Sequence, residues 1–242
     1  MPIHCTEEIR AISETEYHAI DEQVLGLAYQ IQKEYGRFLS EELYQVGLKK
    51  MTPPGKLKSW DASWKRLCSI TDEYIPGFRE CLAPGASSDE IAELERHIGQ
   101  ELHPEHKFIL QQANGCQGST LSIEACSLLS CDEIAASFDY WVDLTVDDPT
   151  FDGPIGVEPA IRNDRCWQKE WVFFWGDDTL DGYVIDLCPT ERGNTGQVFF
   201  VGHEFDHSKV HANSPMAFVD RLCDEIPVQC ANGHIMGMLR LR

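Results

Sequence analysis

The chain has 242 residues with 40 acidic and 20 basic side chains, a formal net charge of −20 at pH 7. Such a balance repels phosphates and so argues against nucleic acid and anionic membranes as partners; it serves solubility, and it permits a basic protein partner, attracted over about a Debye length, ~8–10 Å in physiological salt. Hydrophobic residues make up 43% of the chain, enough for a full core, yet no apolar run approaches the roughly 18–20 residues that span a bilayer.

Met1-Pro-Ile-His-Cys-Thr-Glu-Glu8 lacks the basic start and apolar core of an export signal. The ten cysteines therefore read as reduced thiols of a cytoplasmic protein. None forms a CxxC. The closest pair, Cys126 and Cys131, has no matching second pair, so neither a structural zinc nor any other cofactor is expected. Ile20, Val24, Ala28, Ile31 and Tyr35 recur at helical spacing, and Gly36 suits the stop. Ser40 can cap a second helix that has Glu41 and Glu42 in its first turn and Lys49-Lys50 at its end. Gly26-Leu-Ala28 and Phe38-Leu-Ser-Glu41-Glu-Leu-Tyr44 resemble the start of the GxxExxY family, with Phe38 where that motif has glycine. Residues 1–52 read as a helical extension that ends at Pro53-Pro54-Gly55.

Trp60, Trp64 and Leu67 form the inward stripe of a helix. Ser87-Ser-Asp-Glu90 is a capping box in which serine and glutamate satisfy each other's free amides. Ile91, Leu94, Ile98 and Leu102 continue its buried face. Pro104 suits the first turn of the next helix and Asn114-Gly115 its end. A second box, Ser130-Cys-Asp-Glu133, opens a helix to about Val142. Trp171-Val-Phe-Phe-Trp175 reads as a strand buried on both faces. Gly176 to Gly182 supplies turn residues, Tyr183 to Leu187 a second strand, and Gly196 to Val201 a third. Ser214-Pro215 starts a closing helix with Phe218, Leu222 and Ile226 on one side, and residues 227–242 form a tail that is either a last strand or a frayed end. The order predicts an α+β domain, with an antiparallel-rich central sheet flanked by helices, over residues 57–226.

Several constellations carry possible chemistry. His203-Glu204-Phe205-Asp206-His207 is a literal HExxH, and His211 extends its spacing, but zinc-peptidase chemistry needs the motif on a helix and here it follows a β-run. Asp177, Asp178 and Asp181 offer carboxylates to a hard cation without the order of an EF-hand, and read as acidic turn tips. No nucleophile elbow, P-loop or GxGxxG occurs. From Phe108 to Ile161 there is no Lys, Arg or His, although the stretch holds nine acids interleaved with Phe138, Tyr140, Trp141 and Phe151. A solvated surface usually mixes both signs, so this one-sign patch points to a basic protein partner. The candidate partner-binding residues are Asp143, Asp147, Asp148 and Asp152 with Trp141 as apolar anchor, extended by Asp177, Asp178 and Asp181.

Trp175-Gly176-Asp177-Asp178, Gly182-Tyr183, Asp186, Gly196-Gln-Val198 and Ser214-Pro-Met-Ala-Phe-Val219 resemble the SUKH superfamily, the Smi1/Knr4-type domain. Upstream, Pro84-Gly-Ala-Ser87 to Ile98-Gly99, Leu102-His-Pro104 and Asn114-Gly115 resemble its opening helices. The resemblance implies a binding module without catalytic residues, metal or cofactor. It further implies a cytoplasmic immunity protein that neutralises a co-encoded toxin, such as a basic nuclease, by occluding its groove. A regulatory scaffold of cell-wall signalling is the alternative, and the zinc peptidase a weaker one.

Overall fold

In this computed structural model the residues described are 54–117, 122–123, 126–146, 156–165, 167–177, 181–202, 208–231 and 238–239. The chain divides into two compact units, Met1–Lys58 and Ser59–Arg242. The two helices expected within 17–50 lie outside the described residues.

Helix α1 (Pro54–Tyr74) turns Trp60, Trp64, Leu67 and Cys68 inward, as its apolar spacing requires. Trp60 meets Phe108 at 5.8 Å, and Arg66 pairs with Asp224 at 2.6 Å. A single turn, α2 (Phe78–Cys81), buries Phe78. Helix α3 (Ser88–Ile98) opens on the expected box: the Ser87 amide donates to Glu90 Oε2 at 2.7 Å, and the Glu90 amide to Ser87 Oγ at 3.2 Å. It buries Ile91, Leu94 and Ile98. Helix α4 (Pro104–Gln112) has proline in its first turn and buries Ile109 and Leu110.

Asn114-Gly115 does more than end α4. Asn114 Oδ1 accepts from the Cys131 amide at 2.8 Å, so it caps the helix that follows. Gly115 has φ 89°, and a Cβ there would sit 2.8 Å from the Ser130 amide nitrogen, which leaves room only for glycine. Helix α5 (Cys131–Val146) starts on the second box, with both the amide and Oγ of Ser130 donating to Glu133 Oε2 at 2.7 Å. It runs a turn beyond the expected Val142.

The sheet has the order β2-β3-β4-β5-β6 and is antiparallel throughout, from β2 (Ser127–Leu128), β3 (Trp171–Gly176), β4 (Gly182–Asp186), β5 (Gln197–Val201) and β6 (Val210–Ala212). The central three strands are the expected meander, and every residue of β3 and β4 is buried. β1 (Ser122–Ile123) and β7 (Met238–Leu239) form a separate parallel pair. Successive side chains point to opposite faces. Phe173 stacks on Trp141 of α5 at 6.2 Å, while Phe174 meets Phe218 of the closing helix α6 (Pro215–Ala231) at 5.3 Å. The sheet is thus a middle layer.

Helix α6 passes straight through Pro227 to Ala231, which corrects the expectation of a tail from 227. The proline removes one amide donor, but buried Ile226 and Gln229 on either side of it hold the last turn in place. Of the two possibilities for the tail, residues 238–239 form a strand.

Candidate functional site

Inward-facing Ile134, Ser137 and Trp141 fix the rotation of α5. The same period leaves Asp132, Ala136, Asp139, Tyr140 and Asp143 exposed along one outward stripe. That stripe is about 16 Å long at 1.5 Å per residue. Asp139 Oδ1 lies 2.8 Å from His97 Nε2 of α3. Asp139 and Asp143 are a like-charge i,i+4 pair in the carboxyl-terminal half of a helix with no basic residue in its last turn. Both features disfavour the free helix, by tenths of a kcal/mol up to about 1 kcal/mol.

Trp141 is only 4% exposed. It is a core residue stacked on Phe173, not the expected surface anchor, because its position falls on the inward side of α5. The aromatic that α5 gives to solvent is Tyr140, 37% exposed and edge-on to Trp141 at 6.0 Å. The inward spacing of Ile134, Phe138 and Trp141 already placed residue 140 outside, so this signal was present in the chain. Asp143 is exposed as expected. Asp147, Asp148, Asp152 and Asp178 lie outside the described residues.

Asp177 and Asp181 are brought together, but for structural work. The Asp177 amide donates to the Asp181 carbonyl at 3.0 Å, and the Asp181 amide to Asp177 Oδ1 at 3.1 Å. A Cβ on Gly202 would lie 2.9 Å from the Asp181 carboxylate, so that side chain packs against backbone. Both aspartates are half-buried. This turn adjoins the start of α5, where Leu129 touches Gly176. Asp143 lies roughly 20 Å down the helix from its cap Ser130. The turn and the carboxyl-terminal end of α5 therefore do not form one contiguous acidic face.

His203–His207 lies outside the described residues. Its flanks are β5 and β6, which pair antiparallel with Phe199 opposite Val210. His211 belongs to β6, so it cannot supply the i+8 position of a continuous helix. Among the described residues no group of three His, Cys, Asp or Glu could hold a metal, and no helix is long and apolar enough to cross a membrane.

The strongly perturbed groups lie inside the fold. Asp186 is fully buried and burial pushes its carboxyl up to about 6, against the opposing pull of the Cys188 amide, Gln197 and Arg162. Its Oδ2 accepts from Gln197 Nε2 at 2.9 Å, and the same nitrogen donates to the Ala160 carbonyl at 3.0 Å. Asp186 thereby ties the β4–β5 hairpin to the 160 loop. A raised carboxyl can mark a catalytic acid, but this one is fully buried and spends its oxygens on Gln197 and the Cys188 amide.

Both edges of the sheet are occupied. The Cys116 amide donates to the Leu128 carbonyl on the β2 side. On the β6 side the Val210 amide donates to Glu158 Oε2 at 2.7 Å, and the Glu158 amide to the Ser208 carbonyl at 2.9 Å. Adding a partner strand would require breaking these bonds.

The described residues form a helix-flanked antiparallel sheet, with Asp186 and His106 enclosed within it. The SMI1/KNR4 (SUKH-1) family model matches residues 85–221, more than half of the chain, and the chain belongs to that family. Helix α1 and strand β7 lie outside the matched segment. A glucan synthesis regulatory protein of Neurospora crassa is 21% identical over 206 residues, covering 68% of this chain. The chain spans 38% of the length of that relative.

Proposed function

We propose that the domain is a non-catalytic, acidic docking module that acts in the cytoplasm and binds a basic protein through the outward stripe of α5. The carrying observation is that Asp132, Asp139, Tyr140 and Asp143 share one exposed helical face, in a stretch of sequence without a single cation. Carboxylates near a helix carboxyl terminus and an i,i+4 acidic pair are unfavourable in the free protein. A Lys- or Arg-rich partner removes that penalty and gains the charge complementarity. The closed sheet edges support helix-mediated recognition over strand addition.

Two settings use such a module. Neutralisation of a basic toxin fits the charge best, since a nuclease groove built for phosphates accepts carboxylates in their place and is then occluded. Regulation of polysaccharide synthesis is the setting that the name of the Neurospora relative favours. For the first, the partner is a toxin encoded beside this gene. An Asp132/Asp139/Asp143→Asn variant should associate with it more slowly at low salt and lose most of the salt dependence seen in the wild type. An unchanged rate and an unchanged salt slope would move the binding face away from α5. Full protection of cells by the wild type against that toxin selects the immunity setting, and its absence selects the regulatory one.

A further inference from the structure

Helix α6 closes the face of the sheet opposite α3 and α5, and Phe218 is fully buried at the middle of that contact. Its ring meets Phe174 of β3 at 5.3 Å and Tyr183 of β4 at 4.9 Å. Beyond each of these rings stands an imidazole. His106 of α4 is edge-on to Phe174 at 6.0 Å, and His211 of β6 is edge-on to Tyr183 at 5.4 Å. His106, Phe174, Phe218, Tyr183 and His211 thus run as one line of rings beneath α6. His106 is 1% exposed, and neither of its ring nitrogens has a hydrogen-bond partner among the described residues. The same holds for Nδ1 of His211.

An imidazole enclosed as His106 is tolerated only while neutral, because protonation would put an unpaired charge among aromatic rings, and half-buried His211 bears part of the same cost through its enclosed Nδ1. The nearby acids are committed elsewhere. Glu105, beside His106 on α4, accepts from the Met216 amide at the start of α6 at 2.8 Å. Lys107 is held by Glu95 and Glu101. The remaining titratable neighbour is His103, the N-cap of α4 and another base, and β3 faces His106 with the ring of Phe174. His211 meets Tyr183 from β4, Lys209 just before its own strand and Arg221 from α6, whose Nη1 donates to the His211 carbonyl at 2.8 Å and whose Nε lies 3.9 Å from Glu225. Burial, reinforced by His103, holds His106 down at about 3. Burial, reinforced by Arg221 and Lys209, holds His211 at about 4.

We propose that α6 is an acid-released latch, closed on the sheet while His106 and His211 are neutral and freed when both take up protons. Once freed, the imidazoles titrate near 6.5, so each pH unit below that favours the open form by up to about 100-fold, roughly tenfold per imidazole. The share of His211 ends near pH 4 and that of His106 near pH 3, as each closed-state imidazole begins to protonate too. Hydrogen exchange of the full chain from pH 7 to pH 4, corrected for intrinsic rates, tests this at the α6 amides 216–226 and at the β3 and β4 amides. Protection of α6 should fall first and with that steepness. A His106→Phe/His211→Phe variant should lose the slope, and each single variant should keep about a tenfold change per unit. Should the double variant fail to fold, NMR of isotope-labelled histidine in the wild type decides, with both imidazoles titrating in step with the opening of α6. Simultaneous loss of protection in α6 and the sheet overturns the latch. So does a wild-type slope in the double variant, or titration of both imidazoles near 6.5 with α6 still closed.

Discussion

At the scale of single residues, burial decides which groups hold the fold and which can meet a partner. Trp141 and Tyr140 are adjacent in sequence and opposite in role. Trp141→Ala should cost about 3–5 kcal/mol of stability, as for other buried aromatic truncations. Tyr140→Ala should change stability by no more than about 0.5 kcal/mol while weakening partner binding, and urea unfolding beside a binding assay separates the two effects. Asp186 makes a prediction about pH. Its carboxyl is raised in the folded state, to about 6, so between its unfolded value near 3.9 and 6 the native protein holds more protons than the unfolded chain. Stability contributed by Asp186 is therefore present at low pH and lost as pH rises through that window, by about 2–3 kcal/mol. The imidazoles under α6 act with the opposite sign in an overlapping range, so wild type must be compared with Asp186→Asn at each pH. The stability difference should vary across pH 4–6 and be flat above it; a flat difference throughout would mean the carboxyl titrates normally.

At the scale of elements, local grammar was largely legible. Both Ser-x-x-Glu boxes form as written because they need only neighbouring atoms. Ser130→Ala should cost about 1 kcal/mol, within the usual range for an N-cap, measured by denaturant unfolding. The acidic end of α5 gives the reverse expectation: Asp143→Asn should stabilise the free domain by a few tenths of a kcal/mol, since it relieves the i,i+4 repulsion and the unfavourable dipole. Lower thermal stability in that variant would mean that Asp143 is held by a favourable contact. What was not legible depended on contacts distant in sequence. Pro227 reads locally as a stop, yet the packing of Ile226 and Gln229 carries α6 past it. The Asp177–Asp181 turn reads as an acidic tip, yet the Asp177 carboxylate accepts from the Asp181 amide and the Asp181 carboxylate packs over Gly202. The outward face of α5 is readable from its period, which puts Tyr140 outside and Trp141 inside, whereas proximity to acids carries no such phase.

At the scale of the whole molecule, the α+β class and the meander followed from an unbroken apolar run and two sets of turn residues. The helix α1 that precedes the family-matched segment, by contrast, is tied to the core only through distant partners. Trp60 lies on Phe108 of α4, and Arg66 pairs with Asp224 of α6. Trp64 and Leu67 are 6% and 0% exposed. We propose that the separable boundary falls before α1, so that residues 1–52 are an appended helical unit. Burying a large apolar side chain is worth about 1.5–3 kcal/mol, so loss of these three contributes on the order of the 5–15 kcal/mol that holds a whole domain together. A protein starting at Lys56 should retain a cooperative unfolding transition close to that of the full chain. One starting at Pro84, near the family boundary, should unfold at much lower denaturant or expose its core to hydrophobic dyes, because Phe108 loses the cover of Trp60 and the buried Trp64 and Leu67 are gone. Equal midpoints for the two truncations would make α1 dispensable, and collapse of the Lys56 protein would make the first 52 residues part of the core.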